Sequence, residues 1–108
     1  MRLAKQLDFH PVFIIIPDRH QVDRELLQNK LSYYGLALSD VDIDLPNETL
    51  KEKLDAIYAP YVDVTSCLSE KFDQNSKTKF YYTLDNHLNA LGHRAVAECL
   101  RETGSSLF

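Results

Sequence analysis

The sequence predicts an α/β layered domain built on a parallel sheet. Helical and strand-like segments alternate along the chain, and the first strand candidate is a continuous apolar run of the kind that is buried on both faces. A length of 108 residues allows one domain with a modest core.

The elements follow in order. Leu3 and Leu7 stand four apart, which predicts the last turns of a helix over residues 2–8, already under way at Met1. His10-Pro11 ends it. Val12-Phe13-Ile14-Ile15-Ile16, bounded by Pro11 and Pro17, reads as a central parallel strand. After the loop Pro17-Asp18-Arg19-His20, a helix is expected over roughly 21–34. Its stripe is Val22, Leu26, Leu27, Leu31 and Tyr34, and Gly35 is its stop. Apolar and acidic residues alternate from Val41 to Leu45, as in a short edge strand or an extended connection.

Asn47 is the expected N-cap of the next helix, with Leu50, Leu54 and Ile57 on one face and Pro60 just beyond its end. Tyr61-Val62-Asp63-Val64-Thr65 is the second strand candidate. Residues 70–79 are polar without apolar periodicity and read as a surface loop. Asn89 caps a final helix over about 90–102, with Leu91, Ala95, Val96, Cys99 and Leu100 inward and Gly104-Ser105-Ser106 at its end. Two strands are too few for a stable sheet, so part of the sheet is expected to be missing.

Bulk properties narrow the function. Hydrophobic content of 44% and charged content of 26% fit a folded globular chain. A net charge of −4 argues against nucleic acid or an anionic membrane as partner, since either would want a basic face. The run Val12–Ile16 is far short of the roughly 20 residues that span a bilayer. Met1-Arg2-Leu3 leads into a polar stretch, without the apolar core of a signal peptide. Cys67 and Cys99 sit in no zinc-type or Cys-x-x-Cys spacing; they read as two small buried apolar side chains, and their pairing as a disulfide stays open.

Asp85-x-His87 is the leading chemical candidate. It lies between an aromatic run and a helix N-terminus, at a loop where α/β sheets assemble sites. His87 would be a general base and Asp85 the carboxylate that fixes its tautomer. The structural alternative makes both turn and capping residues beside Asn86 and Asn89. Asp18-x-His20 repeats the spacing after the first strand, so the four side chains together could ligate a metal through oxygen and imidazole. Alternatively, Asp18 or Gln21 simply serves the start of the next helix. His10 and His93 are scattered, His93 as a surface or boundary residue. The serines occupy no Gly-x-Ser-x-Gly elbow, and Ser66 after the second strand is the best internal nucleophile candidate. No glycine-rich phosphate loop is present.

The stretch "FYYTLDNHLNALGHRAVAECL" (80–100) resembles the last block of SGNH/GDSL-type hydrolases, where Asp and His precede an Asn, a Gly-His pair and an Ala/Val-rich helix. Its Asp-x-His spacing is similar to the branch containing alginate-type O-acetyltransferases. Upstream, "VFIIIPDRHQVDREL", "LPNETLKEKL" and "YVDVTSCLSEKF" resemble, in order, the family's late strand and helix, a further helix, and the final strand.

The resemblance implies a flavodoxin-like three-layer α/β/α sandwich, of which residues 1–108 would be the C-terminal portion, lacking the N-terminal strands. It implies Asp85 and His87 as acid and base of acyl transfer, no cofactor, and acyl esters of lipids or O-acetylated polysaccharides as substrates. The family's Gly-Asp-Ser nucleophile motif and its oxyanion-hole Gly and Asn are not found in these residues. One such donor is worth ~10²–10³-fold, so this portion alone is expected to be inactive.

Three readings result. The chain is the acid/base half of an SGNH-type esterase or O-acyltransferase that needs a missing N-terminal half. Or it is a non-catalytic α/β module that pairs with itself or another chain. Or it binds metal through Asp18, His20, Asp85 and His87. An open edge of a parallel sheet predicts self-association in any case.

Overall fold

The computed structural model describes residues 1–74, 79–104 and 107. Helix α1 (Arg2–Leu7) ends at Asp8, whose left-handed backbone lets the chain turn toward β1 (Phe13–Ile15). Two short helices follow, α2 (Arg19–Val22) and α3 (Arg24–Tyr33). A 3₁₀ turn at Leu38–Asp40 leads to α4 (Leu45–Ala56), then β2 (Tyr61–Asp63), α5 (Thr65–Gln74) and α6 (Ala90–Thr103). β1 and β2 pair in parallel, Ile14 opposite Val62, as a two-stranded sheet. Mixed helix and strand around a parallel sheet is compatible with the α/β class.

The pleat divides the core. Ile14 and Val62 point to one face, where Val62, Val64, Leu68, Phe80, Tyr81, Ala95, Val96, Cys99 and Val22 form the main cluster. Ile15 and Tyr61 point to the other, against Leu54 of α4 and Ala59. Helices thus contribute to the core on both faces.

The expectation of a central β1 is not met. β1 has a partner on one edge, and Phe13 and Ile14 are each 40% exposed although every residue from Val12 to Ile16 is apolar. The run has the composition of a strand flanked on both sides, but among the described residues β2 is its one partner. Accessible surface is large for the mass, with exposed apolar side chains on α1, α3 and α4 as well as on β1. It is 7830 Å², against about 6,100 Å² for a folded monomer of this mass. The radius of gyration is 15.9 Å, where about 13 Å is usual for this length.

Other expectations change as well. The helix over 21–34 starts earlier and breaks at Asp23. That residue ends α2, its N–H donating to Arg19 O at 2.8 Å, and caps α3, its Oδ1 accepting from Leu26 N at 3.1 Å. Of the two readings of Val41–Leu45 the strand is not formed and the connection is, leading from the 3₁₀ turn into α4, and Leu36, Leu38, Val41 and Leu45 stay exposed. Residues 70–74 belong to α5 rather than a loop, because Leu68 and Phe72 stand one turn apart and reach the main cluster; 75–78 lie outside the described residues. Gly35 does end α3, at φ 71°, a value that suits glycine.

Cys67 and Cys99 are a disulfide, with Cα atoms 5.8 Å apart, joining α5 to α6. The buried-apolar reading held only for the location of Cys99, which is fully buried.

Asn47 is not a cap. α4 begins two residues earlier with Pro46 in its first turn, and Asn47 is buried. Its amide donates to Thr65 Oγ1 at 2.8 Å and Asp63 Oδ2 at 3.3 Å, and its carbonyl accepts from Gln21 Nε2 at 2.8 Å. A buried amide with three partners is better satisfied here than in a solvated cap.

Asp63 also meets Lys51 Nζ at 2.9 Å. Burial alone would raise its carboxyl pKa, but hydrogen bonds from Thr65, Lys51 and Asn47 outweigh it and hold the group below the usual carboxylate value. Its ionised form therefore stabilises the fold above the unfolded carboxyl pKa near 4, and that contribution is lost as pH falls through the lower folded value. Asp63→Asn should flatten the acid limb of a stability-versus-pH curve below about pH 5. An unchanged acid limb in urea titrations would contradict this.

Candidate active site

The site is built where the strands end. β1 runs into Ile16-Pro17, and Asp18 caps α2: its Oδ2 accepts from His20 N at 2.9 Å, and Gln21 Oε1 accepts from Asp18 N at 2.9 Å. This box fixes the direction in which Arg19 and His20 leave the backbone. Gln21 also donates to Ile43 O at 2.8 Å, tying α2 to the approach to α4.

The second loop, 81–89, lies against this end of β1. Tyr81 is buried, and its hydroxyl donates to Pro17 O at 3.1 Å. Burial, with the nearby Asp18 charge, pushes its pKa up to about 12, so the hydroxyl keeps its proton. Arg19 Nη1 donates to Tyr82 O at 3.2 Å and Thr83 O at 3.3 Å. Tyr82 N donates to His87 O at 3.1 Å, beside the isolated antiparallel bridge of Tyr81 with Leu88. Asn89 closes the loop. Its side chain caps α6 by accepting from Gly92 N at 2.9 Å, and donates to Lys79 O at 2.7 Å. The expected cap at Asn89 is therefore present.

Within this loop Asp85 Oδ1 accepts from His87 N at 2.8 Å and lies 3.3 Å from His87 Nδ1. The pair expected from the spacing is thus brought together. Nδ1 faces the carboxylate at ion-pair range, while the hydrogen bond of the pair is made by the His87 backbone N–H. A proton on Nδ1 would leave Nε2 with the lone pair that proton abstraction needs. The imidazole is 88% and the carboxylate 58% exposed, so water screens their attraction. A working site of this kind needs cover from solvent.

Asp18 and His20 form a tighter pair, Nδ1 to Oδ2 at 2.7 Å, with the imidazole 19% exposed. Partial burial works to raise the Asp18 pKa, but hydrogen bonds from the His20 backbone and ring, with its charge, hold it below the usual value. The capping alternative is present for Asp18 and Gln21. The metal arrangement is not: among the described residues no three of His, Cys, Asp and Glu converge in a way that could hold an ion. The two Asp–His pairs occupy separate turns, joined by Arg19 rather than by shared ligands.

Ser66 sits exposed in the first turn of α5, and among the described residues no serine is hydrogen-bonded to His87. His10 and His93 are exposed. A groove of about 920 Å³ lined by Phe9, Pro11, Ile57, Tyr58 and Pro60 opens at the start of both strands, the opposite end from the Asp–His pairs.

Arg19 and Tyr81 carried no functional expectation, yet they connect the two loops. Their partners lie 63 and 64 residues away, which no local pattern encodes. No helix among the described residues is long and apolar enough to cross a membrane. Compared with protein-family models, curated proteins and solved structures, the chain matches none.

Proposed function

We propose that these residues are the acid/base portion of an SGNH-type serine esterase or O-acyltransferase with a flavodoxin-like sandwich. The observation that carries the reading is the Asp85–His87 pair, formed on a loop held at the carboxyl end of a parallel sheet and directly ahead of a capped helix. In the complete site a serine hydroxyl attacks the carbonyl of an acyl or acetyl ester while His87 Nε2 takes its proton. Asp85 keeps the ring in the Nδ1–H form and stabilises the imidazolium. The imidazolium then gives the proton to the leaving alcohol, and water or a sugar hydroxyl resolves the acyl-enzyme. The exposed β1 edge, the excess surface and the open surroundings of His87 all support completion by further polypeptide that brings the serine and excludes water.

The test is the coding sequence ahead of Met1. Read in frame it should encode a strand followed by Gly-Asp-Ser, and the longer protein should hydrolyse p-nitrophenyl acetate. His87→Ala in that protein should cost roughly 10⁴-fold or more in kcat/KM. The 108-residue chain should show only the background rate, the same in His87→Ala. A longer frame without the serine motif, or His87-dependent hydrolysis by the short chain, would overturn the proposal.

The open β1 edge also favours a second reading, a non-catalytic module that completes its sheet with another copy. Sedimentation separates the two: a tight homodimer whose longer frame lacks the serine supports this second reading alone.

A further inference from the structure

We propose that Arg19 is a positioning residue for the Asp85–His87 pair, an inference that rests on the acid/base reading above. Arg19 opens α2, and its backbone is set by the reciprocal bonds of Asp18 and Gln21. Its Nε lies 3.9 Å from Asp23 Oδ2, one turn on, which aims the far end of the guanidinium across to the other loop. There Nη1 is shared between the carbonyls of Tyr82 and Thr83, the last two before the turn that carries Asp85.

The neighbouring Tyr81 hydroxyl reaches the opposite way, to Pro17 O. These three hydrogen bonds, from two side chains, fasten residues 81–83 to the end of β1. Beyond them the turn is closed internally, by Tyr82 N to His87 O beside the Tyr81–Leu88 bridge and by Asp85 Oδ1 accepting from His87 N, and His87 lies at its exposed far side. Among the described residues, the bonds of this clamp are the ones that carry the first arm of the turn, residues 81–83, to the end of β1 and the start of α2. A planar guanidinium can serve two carbonyls while paired to a carboxylate; an ammonium in its place lacks that fixed fork.

Nuclear magnetic resonance on the 108-residue chain tests this through two signals. One is the hydrogen exchange of the Tyr82 amide. The other is the tautomer signature of His87 in a long-range proton–nitrogen spectrum. The parent chain should show His87 enriched in the Nδ1–H form. Arg19→Ala should raise Tyr82 exchange by about tenfold or more and move His87 toward the free-imidazole mixture, with the amides of Val96 and Cys99 unchanged. Arg19→Lys should recover part of both signals.

Tyr81→Phe, which removes the other fastening, should loosen Tyr82 in the same sense and supplies the test if Arg19→Ala does not fold. Unchanged Tyr82 exchange and an unchanged His87 signature in Arg19→Ala would overturn the role of Arg19. Failure of the acid/base reading looks different: Arg19→Ala shifts both signals while the longer protein is insensitive to His87→Ala.

Discussion

Reducing the Cys67–Cys99 disulfide should lower the stability of the chain by about 3–4 kcal/mol. The bond closes a loop with a sequence separation of 32, and the entropy removed from the unfolded chain by a loop of that size corresponds to about that figure. The native side suffers too. Cys99 is fully buried in the main cluster beside Ala95 and Val96, and Cys67 packs against that cluster from α5. The closed loop contains Phe80, Tyr81, Asp85 and His87, so the bond also limits how far the site loop can stray when α6 opens. Urea unfolding with and without a non-thiol reductant measures the effect. The midpoint should fall by about 2 M, given slopes of ~1–3 kcal/mol per molar for small proteins. Coincident curves would refute it.

Gly92→Ala should destabilise the protein, against the helix-propensity rule that gives alanine about 1 kcal/mol over glycine. Gly92 lies in the first turn of α6 and is buried. A Cβ there would fall on the carbonyl oxygen of Phe80 and stand 2.8 Å from Leu88 Cδ2. The Phe80 oxygen is backbone, already accepting from Asn89 N at 2.9 Å, so it has no rotamer by which to withdraw. Separation of α6 from residues 80–89 is the available relief, at about 2–3 kcal/mol for an overpacked site. That corresponds to a melting temperature lower by roughly 10 °C or more. The Asn89 cap would be displaced with it, and the His87 loop has its root there. A raised melting temperature would show that propensity wins.

Much of the secondary structure could be read from local chemistry. The β-branched runs located both strands, Gly35 the end of α3, and Asn89 the start of α6. Errors arose where distant partners decide the outcome. α5 was hidden because its inward stripe is short, Leu68 and Phe72 among charged neighbours, and because it begins at Thr65, which reads as the end of a strand. Asn47 looked like a cap because no local pattern reveals Thr65, Asp63 and Gln21 waiting around it. β1 reads as central from its composition, but composition does not count neighbours: among the described residues the sheet has two strands, and β1 pairs with β2 alone. For the site, the Asp85–His87 spacing was legible because a two-residue separation is a local geometry. The clamp that holds their loop was not, since it spans over half the chain.

The network from Asp18 through Gln21 and Asn47 to Asp63 and Lys51 has an evolutionary consequence. It commits the ends of both strands to one arrangement at folding, so substitutions there carry a stability cost. The turn between the clamp and His87 is under no such constraint. Leu84 is 98% exposed and Asn86 is exposed between the paired Asp and His. Change can accumulate at these two positions with little effect on folding. The two positions most open to change are thus the ones that flank Asp85 and His87, outside the frame that supports the loop.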